Sequence, residues 1–189
     1  MHMPTVVSRR IGMPAAAMIW AIALPTFAET PCLTNAEPRI VRGASLAPLF
    51  RPGDEVILLM DPEQCLPIAR GEIVAYQNPS RLDPFLKIVK AIPGDRFGLR
   101  KEADGWRLIV NGEVVTNTEG LPYLFGAWRA QRLSAEAEKD AGVIPPESYL
   151  LLGNLVGGSI DSSRFGLVAR ARIIGRLASG PPRAPNRAP

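Results

Sequence analysis

The stretch Gly43-Ala-Ser-Leu-Ala-Pro-Leu-Phe-Arg-Pro-Gly-Asp-Glu-Val-Ile-Leu58 joins a turn of small residues to an apolar run. Glycine allows the backbone to approach a ligand closely, and Pro48 fixes the turn that follows Ser45. Residues Glu55–Met60 then have the character of a strand. A serine held in this way can present both its hydroxyl and its own backbone N–H to a substrate. The simpler interpretation is a surface turn with an incidental serine.

A second stretch, Phe85-Leu-Lys-Ile-Val-Lys-Ala-Ile-Pro-Gly-Asp95, places lysine inside a β-prone run that ends in a turn. In a strand Lys87 and Lys90 point to opposite faces, so one can be buried while the other stays solvated. Burial among apolar groups would lower the pKa of a lysine from ~10.4 to roughly 8, so that the neutral amine can act as a base. The alternative is that both lysines are solvated on an edge strand, which is the usual environment of lysine.

The single histidine, His2, restricts the chemistry that the chain can perform. It lies in an N-terminal segment that we expect to be removed. A Ser-His-Asp triad, a Cys-His pair and His-containing zinc sites are therefore excluded from the remaining chain. A nucleophile must be activated by another group, for which lysine is the leading option. No metal or other cofactor is expected.

Composition favours one globular domain without affinity for nucleic acid. The chain has 189 residues, of which 47% are hydrophobic, and this is enough for one core. Its pI of 9.4 comes from the two ends. Without the arginines of residues 1–28 and of the tail, 18 basic residues balance 18 acidic ones. No basic stripe interleaved with aromatic residues is present, so a nucleic-acid partner is not expected.

Residues 1–28 have the pattern of a signal peptide. A basic start is followed by an apolar core, Ala15–Leu24, and Ala28 ends a triplet suited to cleavage. As a helix this core would extend ~15 Å, about half the thickness of the hydrocarbon layer of a membrane. A cleaved secretory signal is therefore favoured over a membrane anchor formed by residues 11–28.

The two cysteines, Cys32 and Cys65, both fall in the part expected to be exported. An even number of cysteines in an oxidising compartment favours a disulfide between them, and two unpaired thiols are the alternative. The predicted organisation is completed by a domain over residues 29–180 and a disordered tail rich in proline and arginine over residues 181–189.

Many short strands and one helical segment predict a mainly β domain with antiparallel sheets. Asn111-Gly112 predicts a tight type I′ hairpin, and residues 126–141 predict a short surface helix or an ordered loop. The predicted strands are Glu55–Met60, Glu72–Tyr76, Phe85–Ile92, Trp106–Val110, Glu113–Val115, Tyr149–Leu152 and Arg172–Leu177.

Four segments resemble, in the same order, the sequence boxes of type I signal peptidases, which are serine endopeptidases with a Ser–Lys dyad. Ser45 has the place of the nucleophile. Lys87, six residues before Pro93, has the place of the catalytic lysine. The four segments cover residues 43–48, 51–56, 85–95 and 153–166, which we call the first to fourth boxes.

The resemblance implies a mechanism and a set of supporting residues. Neutral Lys87 would take the proton of Ser45, and the Ser45 backbone N–H would bind the oxyanion. The family's second donor, when it is a side chain, comes from the position of Gly43, which has no hydroxyl. A serine that hydrogen-bonds the lysine corresponds to Ser159, and an aspartate two residues later corresponds to Asp161.

The fourth box also departs from the family pattern. Asn154 replaces the aspartate of Gly-Asp-Asn-Arg. Ser163 occupies the position at which an arginine partner of Asp161 is expected, and Arg164 comes one residue late. A shifted Asp161–Arg164 pair would compensate for this change.

The resemblance therefore predicts an exported serine endopeptidase that cleaves exported precursor polypeptides after small residues. Periplasmic localisation is expected, either in soluble form or anchored to the inner membrane. Two alternatives remain open: a dedicated maturation peptidase of a conjugation or secretion system, and a catalytically weak paralogue that binds peptides by strand addition. Contact with a membrane surface and the oligomeric state are left open.

Overall fold

A computed structural model describes residues 35–61, 64–79 and 81–178 of the chain. The predicted signal peptide or anchor over residues 1–28, the cysteine at position 32 and the predicted tail over residues 181–189 lie outside these ranges. Within them, no helix has both the length and the apolar character that crossing a membrane requires.

The described residues form two antiparallel sheets and one long helix, which confirms the predicted mainly β class. The helices are α1 (Ala127–Lys139) and the single turn α2 (Ser162–Phe165), and a 3-10 turn covers Arg170–Arg172. The strands are β1 (Asn35–Ile40), β2 (Glu55–Met60), β3 (Ile73–Tyr76), β4 (Phe85–Ala91), β5 (Phe97–Glu102), β6 (Gly105–Val110), β7 (Glu113–Val114), β8 (Leu124–Phe125), β9 (Ser148–Leu152), β10 (Val168–Ala169) and β11 (Ile173–Leu177).

The larger sheet has the strand order β1-β2-β11-β3-β4-β9-β10. β4 lies between β3 and β9, and its register pairs Lys87 with Val74. Alternate residues of β4 enter different apolar clusters, because successive side chains of a strand point to opposite faces. Ile88 packs in the cluster that contains Leu46 of the first box, whereas Val89 packs in a second cluster. The interior position of β4 thus places its side chains in an apolar environment.

The smaller sheet is built from β5, β6 and β7, and β8 pairs with the other end of β6. Asn111 and Gly112 connect β6 to β7 with φ angles of 52° and 87°. Two positive φ angles are what a type I′ turn requires, so the predicted hairpin is confirmed. The helix α1 packs against this sheet through Leu133, which is buried in the same core as Phe97 and Leu108.

Several elements differ from the sequence-based expectations, and the two-residue strands β8 and β10 are not among the predicted strands. β1 and β5 are not among the predicted strands, because their sequences lack the alternation of apolar and polar residues on which the prediction depends. β1 is an exposed edge strand that contains Pro38, a residue tolerated at a sheet edge. The segment predicted as a surface helix forms α1, but one of its faces buries Ala130, Leu133 and Glu136.

Candidate active site

The first box forms a loop between β1 and β2 that is closed by backbone hydrogen bonds. The N–H of Val41 donates to Asp54 O at 2.8 Å, and the N–H of Gly53 donates to Val41 O at 2.8 Å. Leu46 and Phe50 anchor the loop, since both side chains are buried in the core. Ser45 lies between these attachments and is half-buried. The loop therefore holds the serine in place while leaving one side accessible.

The lysine of the third box contacts the serine of the first box. The Lys87 Nζ donates to Ser45 Oγ at 2.9 Å and to the carbonyl oxygen of Leu86 at 2.9 Å. Only 2% of Lys87 is exposed, and the Phe85 ring centroid lies 5.1 Å from its Nζ. Burial lowers the pKa of Lys87 to about 8, and the negative charge of Asp161 opposes this shift. The amine can therefore be neutral near neutral pH and lies within reach of the Ser45 proton.

The backbone N–H of Ser45 has no acceptor among the residues that the structure describes. It can therefore donate to a substrate oxygen. Gly43, two residues earlier, is exposed, and a Cβ atom built on it would meet no atom within 4 Å. The family resemblance expects a second oxyanion donor at this position. Glycine supplies no side-chain donor, but the structure has space for one.

Asp161 accepts hydrogen bonds from three residues of the fourth box. Its Oδ2 accepts from Ser159 Oγ at 2.7 Å, from Ser159 N at 2.8 Å and from Gly153 N at 3.1 Å. Its Oδ1 accepts from Ser163 N at 3.0 Å and from Ser163 Oγ at 2.6 Å. Burial alone would raise the pKa of this carboxyl, but the donors outweigh burial and lower it. Asp161 is therefore a buried carboxylate whose charge acts on Lys87.

The hydrogen bond expected between Ser159 and Lys87 is not formed in this structure. A hydroxyl has one proton to donate, and Ser159 donates it to Asp161. Among the described residues, the Lys87 Nζ donates only to Ser45 and to the backbone of Leu86. Ser159 thus influences the lysine through the carboxylate.

The expected ion pair between Asp161 and Arg164 is also not formed. Arg164 is exposed, and its guanidinium lies over the Trp128 ring at 5.8 Å. The arginine near Asp161 is Arg129 of α1, whose Nη1 lies 3.9 Å from Asp161 Oδ1. The same guanidinium donates to Ser159 O at 2.8 Å and to the hydroxyl of Ser163. A helix outside the fourth box thus supplies the cation near Asp161, and Arg164 of the box does not.

Asn154 joins the fourth box to the loop that carries Ser45. Its N–H donates to Ser45 O at 2.7 Å, and its Nδ2 donates to Ala47 O at 3.0 Å. Its Oδ1 accepts from the backbone N–H of Thr118 at 2.9 Å and from the Thr118 hydroxyl at 3.0 Å. Only 1% of the residue is exposed. The asparagine that departs from the family pattern is therefore fully hydrogen-bonded here.

Gly153 lies where the same two segments approach most closely. A Cβ atom at this position would lie 2.5 Å from Ser159 Oγ and 2.7 Å from Ser45 O. No side chain fits between these atoms, so glycine is required for the close approach.

The expectation that one lysine of β4 stays solvated is wrong. Lys90 is half-buried, its Nζ donates to Thr116 O at 2.9 Å, and it lies 5.3 Å from the Tyr123 ring centroid. Burial lowers the pKa of Lys90 to about 8. The β4–β9 register shifts between Val89 and Ala91, which the alternation rule does not anticipate. The two lysines do point to different partners, and only Lys87 contacts Ser45.

The structure brings Ser45, Lys87, Ser159 and Asp161 together, and Gly43 lies on the same loop as the serine. Sequence reasoning missed Arg129, although the spacing of Arg129, Arg132 and Glu136 along α1 indicates a shared polar face. Cys65 follows β2, far from these residues in sequence, and its predicted partner is outside the described ranges. The predicted disulfide is therefore not tested by the described residues.

The family model and the sequence relatives agree with the resemblance. The family model described as "Signal peptidase, peptidase S26" matches residues 13–179. A signal peptidase I of Leptolyngbya laminosa is 26% identical over 168 residues, covering 85% of this chain and 72% of that protein. A signal peptidase IB of Staphylococcus aureus strain N315 is 25% identical over 150 residues, covering 75% of each protein. A crystal structure of a signal peptidase I from Enterococcus faecalis V583 aligns with a TM-score of 0.38 and 19% identity, over 60% of this chain and 98% of that one.

Proposed function

Because the chain belongs to the signal peptidase family, peptidase S26, and is thus a serine endopeptidase, we propose that it cleaves exported precursor polypeptides after small residues. In this proposal Ser45 is the nucleophile and Lys87 is the general base. The observation that carries it is the 2.9 Å contact between Lys87 Nζ and Ser45 Oγ, made by a lysine that is 2% exposed. The same contact weighs against a peptide-binding paralogue without catalytic function.

The reaction proceeds in two stages. Neutral Lys87 takes the proton of Ser45 Oγ as this oxygen attacks the scissile carbonyl carbon. The backbone N–H of Ser45 stabilises the oxyanion that forms. Protonated Lys87 then gives the proton to the leaving amine, and the C–N bond breaks to leave an ester on Ser45. Lys87 then takes a proton from a water molecule as this water attacks the ester carbon; the C–O bond to Ser45 breaks, and Lys87 returns the proton to Ser45 Oγ.

Asp161 balances the basicity of the lysine. Burial favours neutral Lys87, whereas the nearby carboxylate favours the protonated form. The two effects together keep the pKa of Lys87 at about 8. A pKa in this range suits a group that must first accept a proton and then return it.

Two lysines on one strand provide a matched test. Lys87 and Lys90 both lie on β4, and burial lowers the pKa of each to about 8. Only Lys87 contacts Ser45. We expect Ser45→Ala and Lys87→Met to abolish cleavage of a quenched fluorogenic peptide with alanine before the scissile bond. Lys90→Met should keep turnover within about threefold of the unmodified enzyme, since substitutions away from the reacting groups act mainly on stability.

The outcomes of this test separate the proposals. Cleavage that persists in Ser45→Ala, with the variant folded by circular dichroism, would refute the assignment of the nucleophile. Equal loss in Lys87→Met and Lys90→Met would show that a general perturbation of β4 abolishes activity. A folded, unmodified enzyme that cleaves neither the peptide nor any exported precursor would favour the binding paralogue.

We further propose that the chain is exported to the periplasm, where it is soluble or anchored by residues 11–28. An oxidising compartment agrees with a Cys32–Cys65 disulfide, and no cysteine in the described part of the chain is free. A mass spectrum of the protein from the envelope fraction would give the mature N-terminus and the cysteine state together. A mass that retains residues 1–28 would favour the anchor, and two free thiols would refute the disulfide.

A further inference from the structure

The carboxylate of Asp161 is completely buried, yet only one arginine of the described residues lies near it. That arginine, Arg129, is on α1 and not in the fourth box. Its guanidinium contacts the backbone of Ser159 and the hydroxyl of Ser163, the two residues whose hydroxyls donate to the carboxylate. Arg129 therefore holds both residues whose hydroxyls donate to Asp161, and it also offsets the charge of the carboxylate.

The surroundings of Arg129 fit this role. A Cβ atom at Gly158 would lie 3.0 Å from the Arg129 Nη1, so the glycine leaves room for the guanidinium. Further along the same face of α1, Arg132 donates to Phe165 O at 3.2 Å. One turn later Glu136 packs against Gly166, where a Cβ atom would lie 2.6 Å from Glu136 Oε1. One helix face thus contacts the fourth box at three successive points.

On the basis of the peptidase function proposed above, we propose that Arg129 is the positioning residue for Asp161 and, through Asp161, for Lys87. A cation borne by α1 then replaces the arginine that the family resemblance expects at the position of Ser163. The guanidinium fork suits this task because one planar group donates to two acceptors at once. Arg129 does not contact the reacting atoms, so its effect passes through the carboxylate.

The charges near Asp161 determine the direction of the effect. Arg129 of α1 and Lys87 of β4 are the cations near it, and the neutral Tyr123 approaches from the segment before β8. Asp161 is the charged group that raises the pKa of Lys87 against the effect of burial. Removal of the guanidinium leaves this negative charge less compensated. The pKa of Lys87 then rises, and the acid limb of the activity profile moves to higher pH.

The test compares Arg129→Gln and Arg129→Lys with Arg132→Gln, each in the full chain. Arg132 is the matched control, because it lies on the same helix face and its polar partners among the described residues are Phe165 O and the Glu136 carboxylate. We expect Arg129→Gln to lower kcat by about tenfold with little change in KM, because misplacement of a reacting group impairs the chemical step. The acid limb of the activity profile of Arg129→Gln should move to higher pH. Arg129→Lys keeps the charge, so its kcat and its acid limb should lie between those of Arg129→Gln and of the unmodified enzyme. Arg132→Gln should keep the original pH profile.

A double-mutant cycle with Asp161→Asn identifies the route of the effect. If Arg129 acts through the carboxylate, Arg129→Gln should have little further effect on kcat or on the acid limb once Asp161 is neutral. Additive losses would overturn the proposal, as would an unchanged pH profile in both Arg129 variants or an equal shift in Arg132→Gln. Arg129→Lys carries the test should Arg129→Gln fail to fold.

A second readout does not depend on turnover. NMR titration of lysine labelled at Cε gives the Lys87 pKa directly, and this pKa should rise in Arg129→Gln. The Ser45→Ala variant in the same peptide assay tests the proposed function separately. An unchanged Lys87 pKa would overturn the role of Arg129 while leaving the peptidase assignment intact. A raised Lys87 pKa in Arg129→Gln, together with an unmodified chain that cleaves no peptide, would support the role of Arg129 and refute the peptidase assignment.

Discussion

The backbone N–H of Asn154 donates to the carbonyl oxygen of Ser45 at 2.7 Å, which binds the segment after β9 to the loop before β2. The side chain of Asn154 continues this contact with a hydrogen bond to Ala47 O. The loop that carries Ser45 is therefore held by a residue more than a hundred positions away in the sequence. Any change that removes the donor at Asn154 should loosen the loop.

Asn154→Asp should destabilise the protein by about 2 kcal/mol, because a buried carboxylate would face Ala47 O without a proton to donate. The loss should be seen as a lower midpoint in urea at pH 8, together with reduced peptidase activity. Thr118→Val is the companion variant: it removes one donor to Asn154 from an exposed residue and should cost less than about 1 kcal/mol. Equal midpoints for the two variants would contradict the role assigned to the Asn154 amide.

Gly43→Ser should increase kcat, because the site has space for a hydroxyl that can donate to the oxyanion. No atom lies within 4 Å of the position of a Cβ at Gly43, so the substitution should leave stability unchanged within about 0.5 kcal/mol. An added oxyanion donor should raise kcat by about tenfold, less than the cost of deleting a pre-organised one. Gly43→Ala, which lacks the hydroxyl, serves as the control in the same assay. A rise of equal size in both variants would exclude oxyanion stabilisation as its cause.

Lys87→Met should stabilise the protein at pH 7 while it abolishes activity. Folding lowers the pKa of Lys87 from 10.5 to about 8, so the folded state binds this proton less tightly than the unfolded state. The penalty is fully present below pH 8 and disappears as the pH rises through 10.5. A shift of this size corresponds to at most about 3 kcal/mol.

The gain should be measured as the difference in urea midpoint between Lys87→Met and the unmodified protein, at pH 7 and at pH 10.5. This difference isolates Lys87 from Lys90, which titrates over the same range. A gain that does not shrink at high pH would indicate better packing by methionine instead of relief of a buried charge.

Asp95→Asn should lower stability at neutral pH and reduce its loss in acid. Burial would raise the pKa of Asp95, but hydrogen bonds from Arg70, the Ile92 N–H and Asn111 lower it to about 2. Its stabilising contribution is therefore complete above the ordinary pKa of 3.8 and is lost as the pH falls through 2. We expect a cost of about 2 kcal/mol at pH 7, typical of charge-assisted hydrogen bonds.

The control for this prediction is Asp83→Asn, because the Arg42–Asp83 pair has side chains 76% and 61% exposed. Such a pair should contribute less than about 1 kcal/mol. Thermal unfolding at pH 7 and pH 2.5 distinguishes the two variants. A similar loss for both would mean that burial of Asp95 adds nothing to its ion pair.

The elements with a strong local signal could be predicted from the sequence. β2 has its predicted bounds, Glu55–Met60, because a turn at Pro52-Gly53 precedes an apolar run. The Asn111-Gly112 turn also follows from local pattern, whereas the choice of Lys87 over Lys90 comes from the family resemblance. β5 is not among the predicted strands, because only Phe97 and Leu99 give it an apolar face and the rest of the strand, Arg100–Glu102, is charged; pairing with β6 completes it.

Long-range contacts explain the rest. The burial of Lys90 depends on Thr116 and Tyr123, which a separate hairpin carries to β4. The sequence predicts the helix that contains Arg129, but helix propensity says nothing of the surface against which a helix packs. The fourth box looks incomplete when only its own residues are considered. The cation near Asp161 is Arg129 of α1, which precedes the box by more than twenty residues.

The absence of a side chain at Gly153 sets a limit on how this enzyme could be altered. The backbone of this residue is the spacer that fixes how far apart the carbonyl of Ser45 and the hydroxyl of Ser159 lie. Engineering for new substrates can therefore change exposed residues such as Gly43 and Leu155 without disturbing that spacing. Even alanine at Gly153 would push Ser45 away from Ser159, whose hydroxyl donates to the buried carboxylate of Asp161.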